Sequence, residues 1–142
     1  MAARIYALIE YDDSNAPEAF SGPTDRVIDF TEYVALWGGK DYDFFAAISG
    51  MRNRFGIPPL FPPRGLPFGV NDQVRKGILS FFSEDYPGIG WLTLDQIDSA
   101  LSHMGIKREN LSLEVNVVLG CMQVLVNAIG NQRVRLVFAV DD

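Results

Sequence analysis

Apolar and polar positions alternate from Arg4 to Tyr11, with Ile5, Ala7, Ile9 and Tyr11 on one face and Tyr6, Leu8 and Glu10 on the other. A two-residue period is that of a pleated strand, and Asp12-Asp13 ends it. The period returns from Arg133 to Val140, where Val134, Leu136, Phe138 and Val140 alternate with Arg133, Arg135, Val137 and Ala139. Between them, Val27 to Trp37 is rich in β-branched and aromatic residues and stops at Gly38-Gly39, which suits a second strand in a hairpin with the first. Strand signals therefore fall near 4–11, 26–37 and 133–140. Residues 13–23 hold Ser, Asn, Pro and Gly at turn-forming density and read as a loop whose Phe20 tucks back onto the body.

The period changes at Asp41. Phe44, Phe45, Ile48, Met51 and Phe55 recur at helical spacing, with Asp41 placed as N-cap and Asp43 in the first turn. Arg52 lies four residues after Ile48, beside that apolar stripe, while Arg54 points elsewhere. Five prolines between Ile57 and Pro67 forbid helix and ladder and give Arg64 a stiff, polyproline-like mount. Asn71 to Phe82 spaces Val74, Ile78, Phe81 and Phe82 helically, and Asp85 to Gly90 breaks the pattern. Thr93 and Gln96 form a capping box for a helix closed by Gly105, with Leu92 placed to staple against Ile97. Ser112 to Ile129 carries strand-favouring valines, but its length and Gly130 favour a buried helix. The expectation is one α+β domain over 1–142, a small, mostly antiparallel sheet packed against about four helices.

Composition narrows the function. The chain has 142 residues, 48% of them apolar, enough for one core. Its net charge of -6 opposes broad nucleic-acid binding, and leaves a basic surface on another protein or a small anion held by local arginines as partners. Cys121 is the only cysteine, so no internal disulfide forms. No signal-peptide pattern opens the sequence and no uncharged apolar run reaches 18 residues, so the expected setting is the cytoplasm, without a membrane. An exposed patch of Phe55, Leu60 and Phe61 would favour a homo-oligomer.

Catalytic chemistry is thin. His103, the only histidine, sits near an expected helix C-terminus, where a cationic ring partners the dipole. No nucleophile–base arrangement and no G-x-S-x-G elbow can be assembled, so no catalytic residue is assigned. C-x-x-C, H-E-x-x-H and EF-hand patterns are lacking, and neither a metal ligand set nor a cofactor is assigned. Glu10, Asp12, Asp13, Asp141 and Asp142 would gather round a divalent cation if their strand ends met. Guanidinium forks suit phosphate or carboxylate, which makes Arg52, Asn53 and Arg64 the expected ligand-binding residues, with Tyr42 and Trp91 as stacking surfaces. In the competing structural reading, Arg64 ties its loop to Asp41, Asp43 or backbone carbonyls.

Tyr42-Asp43-Phe44-Phe45-Ala46 leading to Arg52-Asn53, then Pro63-Arg64-Gly65-Leu66-Pro67, resembles a family of small proteins seen in bacteriophage and bacterial genomes. The resemblance continues at Trp91-Leu92-Thr93-Leu94 and at Arg133-Val134-Arg135-Leu136-Val137-Phe138 before Asp141. Relatives often open with a Cys-Asp-Ile-His strand and carry histidine and serine before the tryptophan. This chain has Arg4-Ile5-Tyr6-Ala7 and Gly88-Ile89-Gly90 there, so no activity resting on those groups carries over. The resemblance implies a phage setting. Joined to the arginine loop and acidic charge, it leads to a phage-type accessory, counter-defence protein that sequesters a small anionic, nucleotide-like signal or blocks a host protein in the host cytoplasm. The alternatives are a divergent metal-dependent nucleotide or phosphoester hydrolase and a purely structural interaction protein.

Overall fold

A computed structural model describes residues 5–31 and 41–141. Four strands, β1 (Ile5–Tyr11), β2 (Val27–Asp29), β3 (Ile89–Leu92) and β4 (Val134–Val140), form an antiparallel sheet in the order β2-β1-β4-β3. The helices among the described residues are α1 (Tyr42–Ser49), α2 (Asp72–Leu79), α3 (Leu94–His103) and α4 (Leu113–Ile129). The expected α+β architecture is thus the observed one, including the antiparallel pairing of the first two strands.

Every residue of β4 is buried, because helices and loops cover both faces of the sheet. On one side Ile5, Ile9, Leu136 and Phe138 pack with Phe44 and Ile48 of α1, Ile97 and Leu101 of α3, and Val118, Leu119 and Met122 of α4. On the other, Leu8, Ile89, Val137 and Ala139 meet Val74 and Ile78 of α2. The apolar character of Leu8 and Val137, on the face opposite Ile9 and Leu136, is the sequence trace of that second layer. Each such side chain removed from water contributes about 1.5–3 kcal/mol. Asn71 caps α2, accepting from the amides of Gln73 and Val74. The Thr93–Gln96 capping box starts α3, and Gly105 in the left-handed region follows its end.

Several elements differ from their sequence reading. β2 spans three residues; Phe30 still donates its amide to the Ala7 carbonyl at 2.9 Å, and the Asp29 carboxylate then accepts the Thr31 amide at 2.8 Å in a side-chain turn; residues 32–37 of the expected strand, with Gly38-Gly39, lie outside the described residues. α1 stops at Ser49 because Gly50 takes a left-handed cap (φ 75°) and the Ser49 hydroxyl satisfies the Phe45 carbonyl, so Met51, Arg52 and Phe55 are not helical. Asp41 precedes α1 without a side-chain cap bond. β3 stands where the glycines suggested only a break: a Cβ on Gly90 would lie 2.9 Å from Phe138 Cζ and 3.2 Å from Pro63 Cα, so glycine lets the strand pass between a core ring and the proline loop. α4 is a helix with one buried face: Val115, Val118, Leu119 and Met122 point inward, Leu113 and Val124 are exposed, and Cys121 is half-buried. Phe55 and Phe61 pack partly against the core, which leaves Leu60 without the neighbours an association patch would need. No helix among the described residues is long and apolar enough to cross a membrane.

A buried ion pair joins the two long strands. Glu10 and Arg135 are direct cross-strand partners, fully buried and 3% exposed respectively. Arg135 Nε donates to Glu10 Oε1 at 2.9 Å, and Nη2 approaches the same oxygen at 2.7 Å without hydrogen-bond alignment. Nη1 donates to the Phe68 carbonyl, and Glu10 Oε2 accepts the Asn71 amide at 2.8 Å. Truncating one partner leaves the other charge buried and bare, so Glu10→Ala is expected to cost about 3–5 kcal/mol in urea unfolding. Replacing both, as Glu10→Leu with Arg135→Met, is expected to recover most of that loss; a double variant no more stable than the single one would refute the electrostatic account.

Candidate functional site

The site begins at the edge of the sheet. β3 has one neighbouring strand, and its outer carbonyls are taken by the proline loop: Gly65 donates its amide to the Ile89 carbonyl at 2.9 Å, and Arg64 donates from Nε and Nη2 to that of Trp91 at 3.3 and 3.2 Å. The loop therefore covers an edge that would otherwise template another strand. The Arg64 guanidinium lies 3.5 Å from the Trp91 ring centroid, and Nη2 also donates to Gln96 Oε1 at 3.0 Å. That same oxygen accepts the Thr93 amide of the capping box. All these acceptors are neutral. Among the described residues no carboxylate pairs with Arg64 and its Nη1 makes no hydrogen bond, while partial burial lowers its pKa.

Next to Trp91 is a hollow of about 230 Å³ walled by Phe20, Phe68, Trp91, Thr93, Gln132 and Arg135. Arg135 lies 3.6 Å from the Phe20 ring centroid and 5.8 Å from that of Trp91. Burial lowers its pKa and Glu10 opposes that, so this cation is already neutralised from within. Phe20 is buried and holds φ 55°, a left-handed conformation that costs a bulky residue on the order of 1–3 kcal/mol. Its amide donates to Asp12 Oδ2 at 2.8 Å, and Gly69 lies so close that a Cβ there would be 2.7 Å from the Phe20 carbonyl oxygen. Phe68, 80% exposed, forms the open wall.

Asp12 organises this loop. Its carboxylate accepts from the amides of Ser14 and Phe20 and lies 3.4 Å from Arg133, which also donates to the carbonyls of Ser14 and Ala16. Burial alone would raise the Asp12 pKa, but the bonds from Ser14 and Phe20 together with the Arg133 charge outweigh it and hold the carboxyl below its ordinary 3.8.

Of the residues expected at the site, Arg64 and Trp91 are in contact. Arg52 sits apart on Tyr42, its Cζ 5.2 Å from the ring centroid, with φ 56° and a buried Nε lacking an acceptor. Among the described residues the Arg52–Tyr42 and Arg64–Trp91 pairs share no partner. Asn53 spends its amide on its own turn, donating to the Ile57 carbonyl and accepting the Phe55 amide. Arg54 takes Asp43 in a bidentate pair at 2.9 Å, so Arg64 ties down to a backbone carbonyl rather than to that acid. His103 Nε2 lies 3.0 Å from the Pro58 carbonyl, joining the end of α3 to the proline loop. The strand-end carboxylates do not gather: Tyr11 is level with Val134 and Ile5 with Val140, so Asp12 and Asp141 lie beyond opposite ends of β4, about 27 Å apart at strand rise. Asp142 is outside the described residues.

Phe20, Phe68, Gln96, Gln132 and Arg135 were not singled out from the sequence as site residues. For Arg135 a signal existed: an arginine at an inward position of an apolar strand, matched by Glu10 in the other long strand. A second hollow of about 310 Å³, between β1, β2 and α2, has Tyr6, Leu8, Val27 and Val74 as walls and Asp25 and Asp29 in its lining, the wrong sign for an anion. The chain matches no family model, no curated protein and no solved structure.

The lowered Asp12 pKa has a definite sign. The stability it supplies is complete above pH 3.8 and is lost as the pH falls through the folded value. Asp12→Asn is expected to cost about 1–2 kcal/mol at pH 7 and to flatten the fall in stability below pH 4, measured by thermal melts between pH 2.5 and 7; an unchanged acid profile would count against this assignment.

Proposed function

We propose that this protein works by binding, and that its ligand is a small anion carrying a flat ring, of nucleotide size. The observation that supports this best is Arg64: an exposed cation held by neutral acceptors, with no carboxylate partner among the described residues, over a tryptophan that also walls an aromatic hollow. The Nη1 edge would add a hydrogen bond to a phosphate or carboxylate oxygen, while the exposed Phe68 ring would offer a face for a base. Arg135, neutralised by Glu10, would line the hollow without demanding a second negative charge.

In the phage setting that the sequence resemblance implies, such a site would serve counter-defence by sequestering a nucleotide-like signal in the host cytoplasm. Binding suffices for that role. The alternative that depends on a divalent cation at the strand ends loses its motive, because the acids meant to share the ion are separated by the length of β4.

Titration calorimetry with mononucleotides, cyclic dinucleotides and ADP-ribose is expected to find at least one ligand. Arg64→Ala is expected to weaken it by about 10- to 100-fold, the worth of a charge-assisted hydrogen bond, and Phe68→Ala to weaken ring-bearing ligands more than inorganic phosphate. No heat with any of these compounds would overturn the small-ligand reading; capture of a host protein by the Arg64→Ala variant as well as by the parent would move function to another surface.

A further inference from the structure

Among the described helices, α4 carries the longest stretch without charge. From Val115 to Ile129 there is no charged residue, in a protein of which 21% is charged. Leu113 and Val124 are 76% and 69% exposed, Val117 is 40% exposed, and Gly120 and Ala128 lie open on the same side. Steps of four, three, four and four residues keep these five positions on one stripe.

Two further observations say what covers the stripe. Gly120 sits in mid-helix, where glycine is the poorest residue after proline, yet among the described residues a Cβ there would meet nothing within 4 Å, so none of them requires its absence. The stripe is also self-complementary when run backwards: about a point between residues 120 and 121, Leu113 falls level with Ala128, Val117 with Val124, and Gly120 with Cys121. Each large side chain meets a smaller or equal one. Charge selects the same partner. A basic protein would be recognised by carboxylates, which this stripe lacks, whereas two copies of net charge -6 approach at least cost where neither carries charge.

We propose that α4 packs antiparallel on α4 of a second copy, about a two-fold axis level with Gly120 and Cys121, the missing Cβ of Gly120 making room for close approach of the helices. The interface is isologous. A 17-residue helix is about 25 Å long, and a contact one helix wide falls short of the roughly 800 Å² per partner of a standard interface. The dimer is therefore weak, with a dissociation constant on the order of 10–100 µM.

Sedimentation equilibrium of the full chain between about 5 µM and 1 mM tests this, with crosslinking by a short bismaleimide, which in the dimer joins Cys121 to Cys121 of the second copy. A monomer–dimer equilibrium is expected, with a Cys121-dependent covalent dimer. Val117→Glu, on solvent-exposed surface, is expected to abolish both while leaving the thermal melt of dilute protein unchanged. Gly120→Ala separates the proposal from simple helix propensity: it should raise the melting temperature of dilute protein yet weaken dimerisation about tenfold. A protein monomeric at 1 mM, a dimer indifferent to Val117→Glu, or Gly120→Ala dimerising as well as the parent would each overturn the proposal.

Discussion

The constraint on which the rest of the molecule depends is a charge pair placed where charge is most expensive. Glu10 and Arg135 face each other across the two central strands, each nearly without solvent. Two buried ions are costly unless their other donors and acceptors are met, and all but Arg135 Nη2, which lies near Glu10 out of hydrogen-bond line, find partners that shape the surroundings. The Phe68 carbonyl must turn inward to Arg135, the Asn71 amide must reach Glu10, and Asn71 must in turn hold the Thr24 carbonyl. The segment leading into α2 and the loop after β1 are thereby fixed to the same point. A one-residue slip of either strand would leave Glu10 and Arg135 on opposite faces of the sheet, so the pair and the observed register go together.

The candidate site is a by-product of that fixing. Phe68, held through its carbonyl, leaves its ring in solvent, and Phe20 is held under the Arg135 guanidinium in a conformation it would not choose alone. Arg64 reaches the same neighbourhood by another route, from a proline loop laid along the open edge of β3. Two arginines thus approach one tryptophan under different electrical conditions, one with a carboxylate partner and one without. Of the two, Arg64 is the one without a carboxylate among the described residues.

Much of this architecture is written in periodicity. The first and last strands, the capping box at Thr93 and the length of α4 all carry local signals that tertiary contacts do not reverse. What local pattern could not show is instructive. β3 has only four residues, two of them before the tryptophan being Ile89 and Gly90, and its existence depends on Phe138 leaving room, a contact between residues 48 apart in the chain. The end of α1 at Ser49 was hidden because Met51 and Phe55 continue the helical spacing beyond the glycine that stops it. At the site, the sequence pointed to Arg64 and Trp91 separately, and packing placed one on the other. Phe20 and Phe68 lay in loops, where no period marks a residue as inward or outward.

One oxygen carries a consequence beyond its local role. Gln96 Oε1 accepts both from the Thr93 amide, closing the first turn of α3, and from the Arg64 guanidinium. A ligand that drew Arg64 away would strip one donor from that oxygen and tighten the other, whereas one that bound Nη1 in place would polarise the arginine and weaken its hold on the glutamine. The start of α3 is thus coupled to the position of the Arg64 side chain, and the exchange rate of the Thr93 amide would register any movement of it.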